Sequence, residues 1–188
     1  MSQKILVIRL SSIGDIVLAS PVFRCIKKQL PDVQLHFLTK KSFKVVTENN
    51  PYIDRFFYYD NNMDELKQML ISENYDTVID LHNNIRSNQI KRFLGVPSHT
   101  IDKLSWQKIL LTKAKINLMP GRHITQRSLD TVTPLGVVDD GLGLDYFIGS
   151  NDEVKSEDIP APHRLGYVAF VIGANHYTKK MPIVKWQE

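Results

Sequence analysis

Short apolar runs alternate with helical stripes along the first hundred residues. Ile5, Leu6, Val7, Ile8 and Leu10 form a run rich in β-branched side chains, the pattern of a strand buried on both faces of a parallel sheet. Ser11, Ser12, Ile13, Gly14 and Asp15 break it, and Ile16, Ala19, Phe23, Ile26 and Leu30 then fall on one helical stripe. Further strands are predicted at 33–38, 55–59, 76–81 and 99–102. Helices are predicted at 40–49, 63–73 and 85–94, the last stopped by Gly95 and Pro97. The alternation predicts an α/β fold: a Rossmann-like parallel sheet with helices on both faces.

From Lys103 the pattern changes. Residues 104–118 read as a basic amphipathic helix, with Trp106, Leu110, Ala114 and Leu118 at four-residue spacing among Lys103, Lys108, Lys113 and Lys115. Such a segment either covers the sheet with its apolar stripe or touches an anionic membrane or amphiphilic acceptor. A helix at 123–135, closed by Gly136, and a short apolar piece at 144–148 follow. The expected organisation is one Rossmann-like domain at 1–150 and a polar linker at 151–163. A second α/β domain then begins at 164–188, with a strand at 166–172, a loop at 173–181 and a helix from Pro182.

Composition narrows the class. The chain has 188 residues, 43% hydrophobic and 23% charged, as in ordinary soluble domains. No apolar run approaches the ~20 residues of a membrane span, and Arg9 interrupts the first apolar stretch where a signal peptide would continue. The expected location is cytoplasmic. The single cysteine, Cys25, excludes an internal disulfide and reads as a buried structural thiol. A net charge of +4 and a pI of about 9.1 suit a protein that meets phosphates or an anionic membrane face, without demanding nucleic acid.

The loop after the first strand carries the leading candidate chemistry, because ligands of open α/β sheets bind beyond the strands' carboxyl ends. Asp15 either caps the first helical turn or serves as a general base, kept ionised but weakly basic by the helix end. Gly14 alone does not make a dinucleotide loop. Lys40 and Lys41 after the second strand leave an NADP site open. After the fourth strand, Asn83 or Asn84 reads as a helix cap, and the Arg86 fork suits phosphate or carboxylate. His123 and Arg127, with Arg122, form a basic helix face. Taken alone, Lys179 and Lys180 read as solvated surface. The histidines show no metal-ligand spacing, so no metal is expected.

Four motifs in order carry a resemblance. They are Ile8-Arg9-Leu10-Ser11-Ser12-Ile13-Gly14-Asp15-Ile16-Val17 with Pro21; Asp80-Leu81-His82 with Arg86-Ser87; His123 and Arg127 before Leu135-Gly136; and Gly173-Ala174 with Lys179, Lys180 and Pro182. Together they resemble glycosyltransferase family 9, the ADP-heptose:lipopolysaccharide heptosyltransferases. The resemblance implies a GT-B architecture, with an N-terminal acceptor domain and a C-terminal nucleotide-sugar domain across a cleft. It also implies inverting transfer without an obligatory metal or other cofactor, the donor being an ADP-sugar.

By that resemblance Asp15 is the catalytic base. Ser12, Gly14, His82, Arg86, Lys103, Arg122, His123 and Arg127 lie on the acceptor side, and Lys179 and Lys180 meet the donor. The implied partners are a nucleotide sugar and the lipopolysaccharide core, with peripheral contact at the cytoplasmic face of the inner membrane and no nucleic acid. The family's glycine-rich nucleotide loop does not occur in the chain, which therefore reads as a truncated enzyme, inactive alone. Two alternatives stand beside this reading: a non-catalytic module that binds acidic saccharides, and an NADP-dependent oxidoreductase.

Overall fold

A computed structural model describes residues 3–169 and 179–186. The chain divides into two compact units, Met1–Gly149 and Ser150–Glu188. In the first, β1 (Lys4–Ile8) leads to α1 (Ile13–Val17), α2 (Ser20–Gln29), β2 (Gln34–Lys40), β3 (Arg55–Tyr59) and α3 (Met63–Ile71). There follow β4 (Thr77–Asp80), α4 (Ile85–Leu94), β5 (Ser98–Thr100), α5 (Ser105–Ile109) and α6 (Ile124–Asp130). The five strands form one sheet in the order β3-β2-β1-β4-β5, and every pair is parallel.

β1 is central, and Ile5, Leu6, Val7 and Ile8 are all fully buried. Its alternating side chains feed two separate cores, as the period of two in a strand requires. Ile5 and Val7 pack with Val22, Phe23 and Ile26 of α2 and with Leu129 of α6. Leu6 and Ile8 pack with Leu66 and Leu70 of α3 and with Ile90 of α4. The sheet is thus covered on both faces, as the apolar run predicts. Its order reverses between β1 and β4: β2 and β3 extend to one side of β1, β4 and β5 to the other. The crevice beyond the carboxyl ends of β1 and β4 is therefore the switch point of this sheet.

Several elements depart from the sequence pattern. The first helical stripe is divided between α1 and α2, although Ile16, Ala19, Phe23 and Ile26 are buried as expected. Pro21 has no N–H for the carbonyl four residues earlier, and its ring crowds that turn, so a continuous helix is broken there. The helix expected at 40–49 is a 3₁₀ turn, Lys41–Val46, where the Thr47 hydroxyl takes the carbonyls of Phe43 and Lys44 at 3.1 and 3.0 Å. The segment expected as a helix at 123–135 splits into α6 and a 3₁₀ turn, Thr133–Leu135, closed by left-handed Gly136. By contrast, α4 ends as expected at Gly95, whose φ of 66° suits a glycine.

A buried arginine secures the segment after α6. Arg24 of α2 is 1% exposed. Its Nε and Nη2 donate to the two oxygens of Asp140 at 2.8 and 2.7 Å, Nη1 pairs with Asp145, and Nη2 also reaches the Gly143 carbonyl at 2.8 Å. Cys25 beside it is fully buried, and burial pushes its thiol up. Cys25, Asp139 and Asp140 could each aim one ligand atom at a common point, but both Asp140 oxygens already hold the guanidinium.

In the second unit the described regular structure is limited to the 3₁₀ turns Ser156–Asp158, Ala161–His163 and Ile183–Trp186. The strand expected at 166–172 is absent over its described part, 166–169, where Tyr167 and Val168 are exposed. No other strand lies among this unit's described residues to pair with it, and an unpaired strand leaves its backbone groups unsatisfied. The remainder of that strand and the loop residues 173–178 fall outside the described residues. Pro182 opens a 3₁₀ turn rather than an α-helix. Among the described residues, no helix is long and apolar enough to cross a membrane.

Truncating Arg24 to Ala strands two carboxylates and should cost about 3–5 kcal/mol in urea unfolding. The Arg24 guanidinium, against a smaller opposing effect of burial, holds Asp140 far below the usual carboxylate range. That contribution is complete above the unfolded value of about 3.9 and drains away as pH falls toward the folded value. The stability gap between wild type and variant should therefore be full at pH 7 and narrow below pH 4.

Candidate functional site

The chain leaves β1 through Arg9, whose backbone N–H donates to the Leu38 carbonyl at 3.0 Å. Leu10 is buried and pins the loop. Ser12 then takes the cap position of α1 with extended backbone, which places Asp15 at the third helical position. The Ser12 N–H and Oγ–H donate to Asp15 Oδ2 at 3.2 and 2.9 Å. Arg9 Nη2 lies 2.5 Å from the same oxygen, while Arg9 Nη1 donates to the Leu81 carbonyl beyond β4. Oδ1 has no partner among the described residues, and the side chain is 34% exposed. Burial pushes the Asp15 carboxyl up, but the Ser12 N–H and the Arg9 guanidinium outweigh it and hold the group below its usual value. The cap and the base readings of Asp15 are thus compatible: one oxygen is spent on the fold, the other is open.

The second wall is built by Asp80, the fully buried last residue of β4. Its Oδ1 accepts the N–H groups of His82 and Asn83 at 2.9 and 2.7 Å. Its Oδ2 accepts the Ser87 hydroxyl at 2.8 Å and pairs with Lys91 at 2.9 Å. Asn83 turns with φ 48° and donates to the Ile101 carbonyl. Asn84, rather than Asn83, caps α4 by accepting the Ser87 N–H.

This turn sets His82 beside the Ser11 backbone and Arg9. Burial first, and then the positive charges of Arg9 and Lys103, lower the imidazole to about 4. It is therefore neutral at pH 7, and its buried Nδ1 has no hydrogen-bond partner, an arrangement that usually has a reason in the structure or in a ligand. Burial and Arg9 likewise lower Lys103, with Asp80 and Asp15 acting against them. Lys103 makes no hydrogen bond or ion pair among the described residues.

Arg9, Asp15, His82 and Lys103 therefore form one electrostatically coupled cluster at the switch point. Ser12 adjoins this cluster through its bonds to Asp15, and the remaining acceptor-side candidates lie outside it. Gly14 is inside α1, where an added Cβ would meet nothing within 4 Å. Arg86 is exposed in the first turn of α4 and makes no hydrogen bond or ion pair among the described residues. Arg122 pairs with Asp130 at 2.8 Å. Arg127 donates to the Asp102 carbonyl at 3.1 Å and keeps a buried Nε without a partner.

Both arginines line an open groove of about 310 Å³, together with Asp102 and Leu104, the residues that flank Lys103. His123 stands one helical turn before Arg127, whose N–H donates to its carbonyl at 3.2 Å. It is the cap of α6, and its Nδ1 accepts the Thr125 N–H at 3.3 Å. Lys179 and Lys180 are exposed in the second unit. Lys41, half of the pair that left an NADP site open, is paired with Asp60 on the surface.

Arg9 and Asp80 were absent from the sequence-derived site. The signal for both is a charge set in or just after a fully apolar strand, which must find a partner at the strand's end.

No family model matches the chain. Over 109 residues, 55% of this chain, it is 31% identical to lipopolysaccharide heptosyltransferase 1 of Campylobacter coli, covering 32% of that protein. It is 23% identical to lipopolysaccharide heptosyltransferase 1 of Pseudomonas aeruginosa over an alignment that covers 99% of this chain and 56% of that one. By sequence, the chain is similar to lipopolysaccharide heptosyltransferases. A crystal structure of glycosyltransferase family 9 from Veillonella parvula matches with a TM-score of 0.65 at 21% identity, covering 79% of this chain and 46% of that one. At that identity the match supports the Rossmann-like fold. The chain spans a third to about half the length of these curated relatives.

Replacing Arg9 with Gln removes the cation nearest Asp15, so the Asp15 carboxyl should titrate at higher pH in a carbon-detected NMR titration. The His82 imidazole should show no protonation step between pH 5.5 and 8. Gly14→Ala should fold with unchanged or slightly raised thermal stability, since alanine suits a helix better by up to ~1 kcal/mol.

Proposed function

We propose that this chain is the acceptor-side part of an inverting glycosyltransferase that moves heptose, or a related sugar, from an ADP-sugar to the inner core of lipopolysaccharide. The observation that carries the proposal is the open Oδ1 of Asp15, held at the switch point by Arg9 and Ser12. The likeness to lipopolysaccharide heptosyltransferases supplies the substrate class.

The geometry supports the following chemistry. An acceptor hydroxyl donates to Asp15 Oδ1 and attacks the anomeric carbon from the face opposite the leaving ADP. The new C–O bond forms as the bond to the diphosphate breaks, and the hydroxyl proton passes to Oδ1. A carboxylate held below its usual value is a weak base, so it takes the proton late, once the attacking oxygen has become acidic. Arg9 and Ser12 keep Oδ2 occupied and thereby aim Oδ1, a form of pre-organisation.

His82, neutral at pH 7, adds a hydrogen-bonding nitrogen beside the acceptor. Lys103, with Arg86, Arg122 and Arg127 further out, offers positive charge to the acidic groups of the core saccharide. His123 serves this side as the cap that orients α6. Lys179 and Lys180 are assigned to the donor's diphosphate on the resemblance. The chemistry assigned to these residues requires no metal.

The test is a transfer assay with ADP-heptose and a core acceptor on a protein that spans the full length of the relatives. Asp15→Ala should lower kcat by ~10² or more and leave the acceptor KM within a few-fold. Unchanged turnover would refute the base and favour a saccharide-binding role. The acid limb of kcat should lie below the ordinary carboxylate value of about 3.9 and move upward in Arg9→Gln.

A further inference from the structure

The contacts around Arg9 fix two of the three nitrogens of its guanidinium. Nη2 holds Asp15 Oδ2, and Nη1 holds the Leu81 carbonyl. Nε is buried and has no hydrogen-bond partner among the described residues. A planar fork held only at its two terminal nitrogens can still rock about the line that joins them. Such a motion carries Oδ2 with it and swings the open Oδ1 of Asp15. A bond at Nε would stop it.

The strand register shows where that bond comes from. Ile8 of β1 is level with Leu38 of β2, and the Arg9 N–H extends the ladder to the Leu38 carbonyl. Arg9 and Thr39 are therefore the next neighbours across the two strands. Ile5 and Val7 of β1, and Leu35 and Phe37 of β2, all enter the core that packs on α2. By the strand's period of two, Arg9 and Thr39 leave the sheet on that same face. Thr39 is fully buried, and its Oγ1 also lacks a partner among the described residues. Its neighbour on the other side, Tyr58 of β3, has its hydroxyl 3.5 Å from that of Thr47. A donor and an acceptor, each buried and each unpaired, thus stand side by side. Leaving both unsatisfied is costly. Valine has the same shape as threonine without that cost, so the Thr39 hydroxyl is the feature that needs a reason.

We infer that Thr39 is a positioning residue for Asp15. One buried water accepts the Arg9 Nε–H and donates to Thr39 Oγ1, which completes a three-point hold on the guanidinium. Thr39 touches neither the acceptor nor the donor and acts through Arg9. The hold on Arg9 stands on the register and the two unpaired atoms. Its effect on turnover rests on the reading of Asp15 as the base.

The test compares Thr39→Val, which removes the hydroxyl at constant shape, with Thr39→Ser, which keeps it. Thr47→Val is the control, since that buried hydroxyl is bonded to the carbonyls of Phe43 and Lys44. In NMR spectra of this chain, the wild-type Arg9 Nε–H should show cross-relaxation with a bound water, a result that needs no variant to fold. Hydrogen exchange at that group should run about tenfold faster in Thr39→Val and stay within about threefold of wild type in Thr39→Ser and Thr47→Val. The Asp15 carboxyl should titrate at higher pH in Thr39→Val alone, part of the way to its position in Arg9→Gln. Ser12 and Lys103, which also act on Asp15, are the same in every variant. In a protein that spans the full length of the relatives, Thr39→Val should lower kcat about fivefold and leave the acceptor KM unchanged. No water signal at Nε–H, equal exchange in wild type and Thr39→Val, or equal losses in Thr39→Val and Thr39→Ser would overturn the assignment. If Asp15→Ala leaves turnover unchanged, the base reading fails, while exchange and titration still decide the role of Thr39.

Discussion

A guanidinium at the carboxyl end of a fully buried strand must find both a counter-charge and hydrogen-bond acceptors, because an isolated charge at such a place is costly. Arg9 is that group, and the site depends on how it is satisfied. It takes the Asp15 carboxylate on one side and the Leu81 carbonyl on the other. One side chain thus ties the end of β1, the start of α1 and the chain leaving β4 into a single corner. The ion pair that holds Arg9 occupies Oδ2 of Asp15 and leaves Oδ1 open, while its Nε stays buried without a partner among the described residues, and its charge helps to keep His82 neutral and to lower Lys103. Structure and chemistry share one set of bonds here.

Asp80 does for the second wall what Arg9 does for the first. A fully buried carboxylate is tolerable only when its lone pairs are filled, and here two backbone N–H groups, a hydroxyl and an ammonium fill them. The turn they impose carries His82 into the crevice and starts α4. Two charged residues at adjacent strand ends, each paired locally, therefore build a crevice with polar walls out of an otherwise apolar sheet. The Arg24 cluster is a third buried charge, but it joins α2 to the segment after α6, and it works as a tether.

Much of the framework was legible in the chain itself. Arg55–Tyr59 and Ile85–Leu94 begin and end where their patterns say, because an apolar run between turn residues and a capped stripe with a closing glycine are local signals. The position of Asp15 just past the first strand was equally legible. What lay outside the sequence were facts about neighbours. Which oxygen of Asp15 stays open depends on Arg9 being folded back from six residues away. The closeness of His82 and Lys103 to Asp15 depends on β4 pairing beside β1, a contact between residues some 70 positions apart. Local periodicity determined the elements and the candidate residue. Long-range pairing alone decided its partners, because charge and burial are set by what the fold brings near and not by what stands next in the chain.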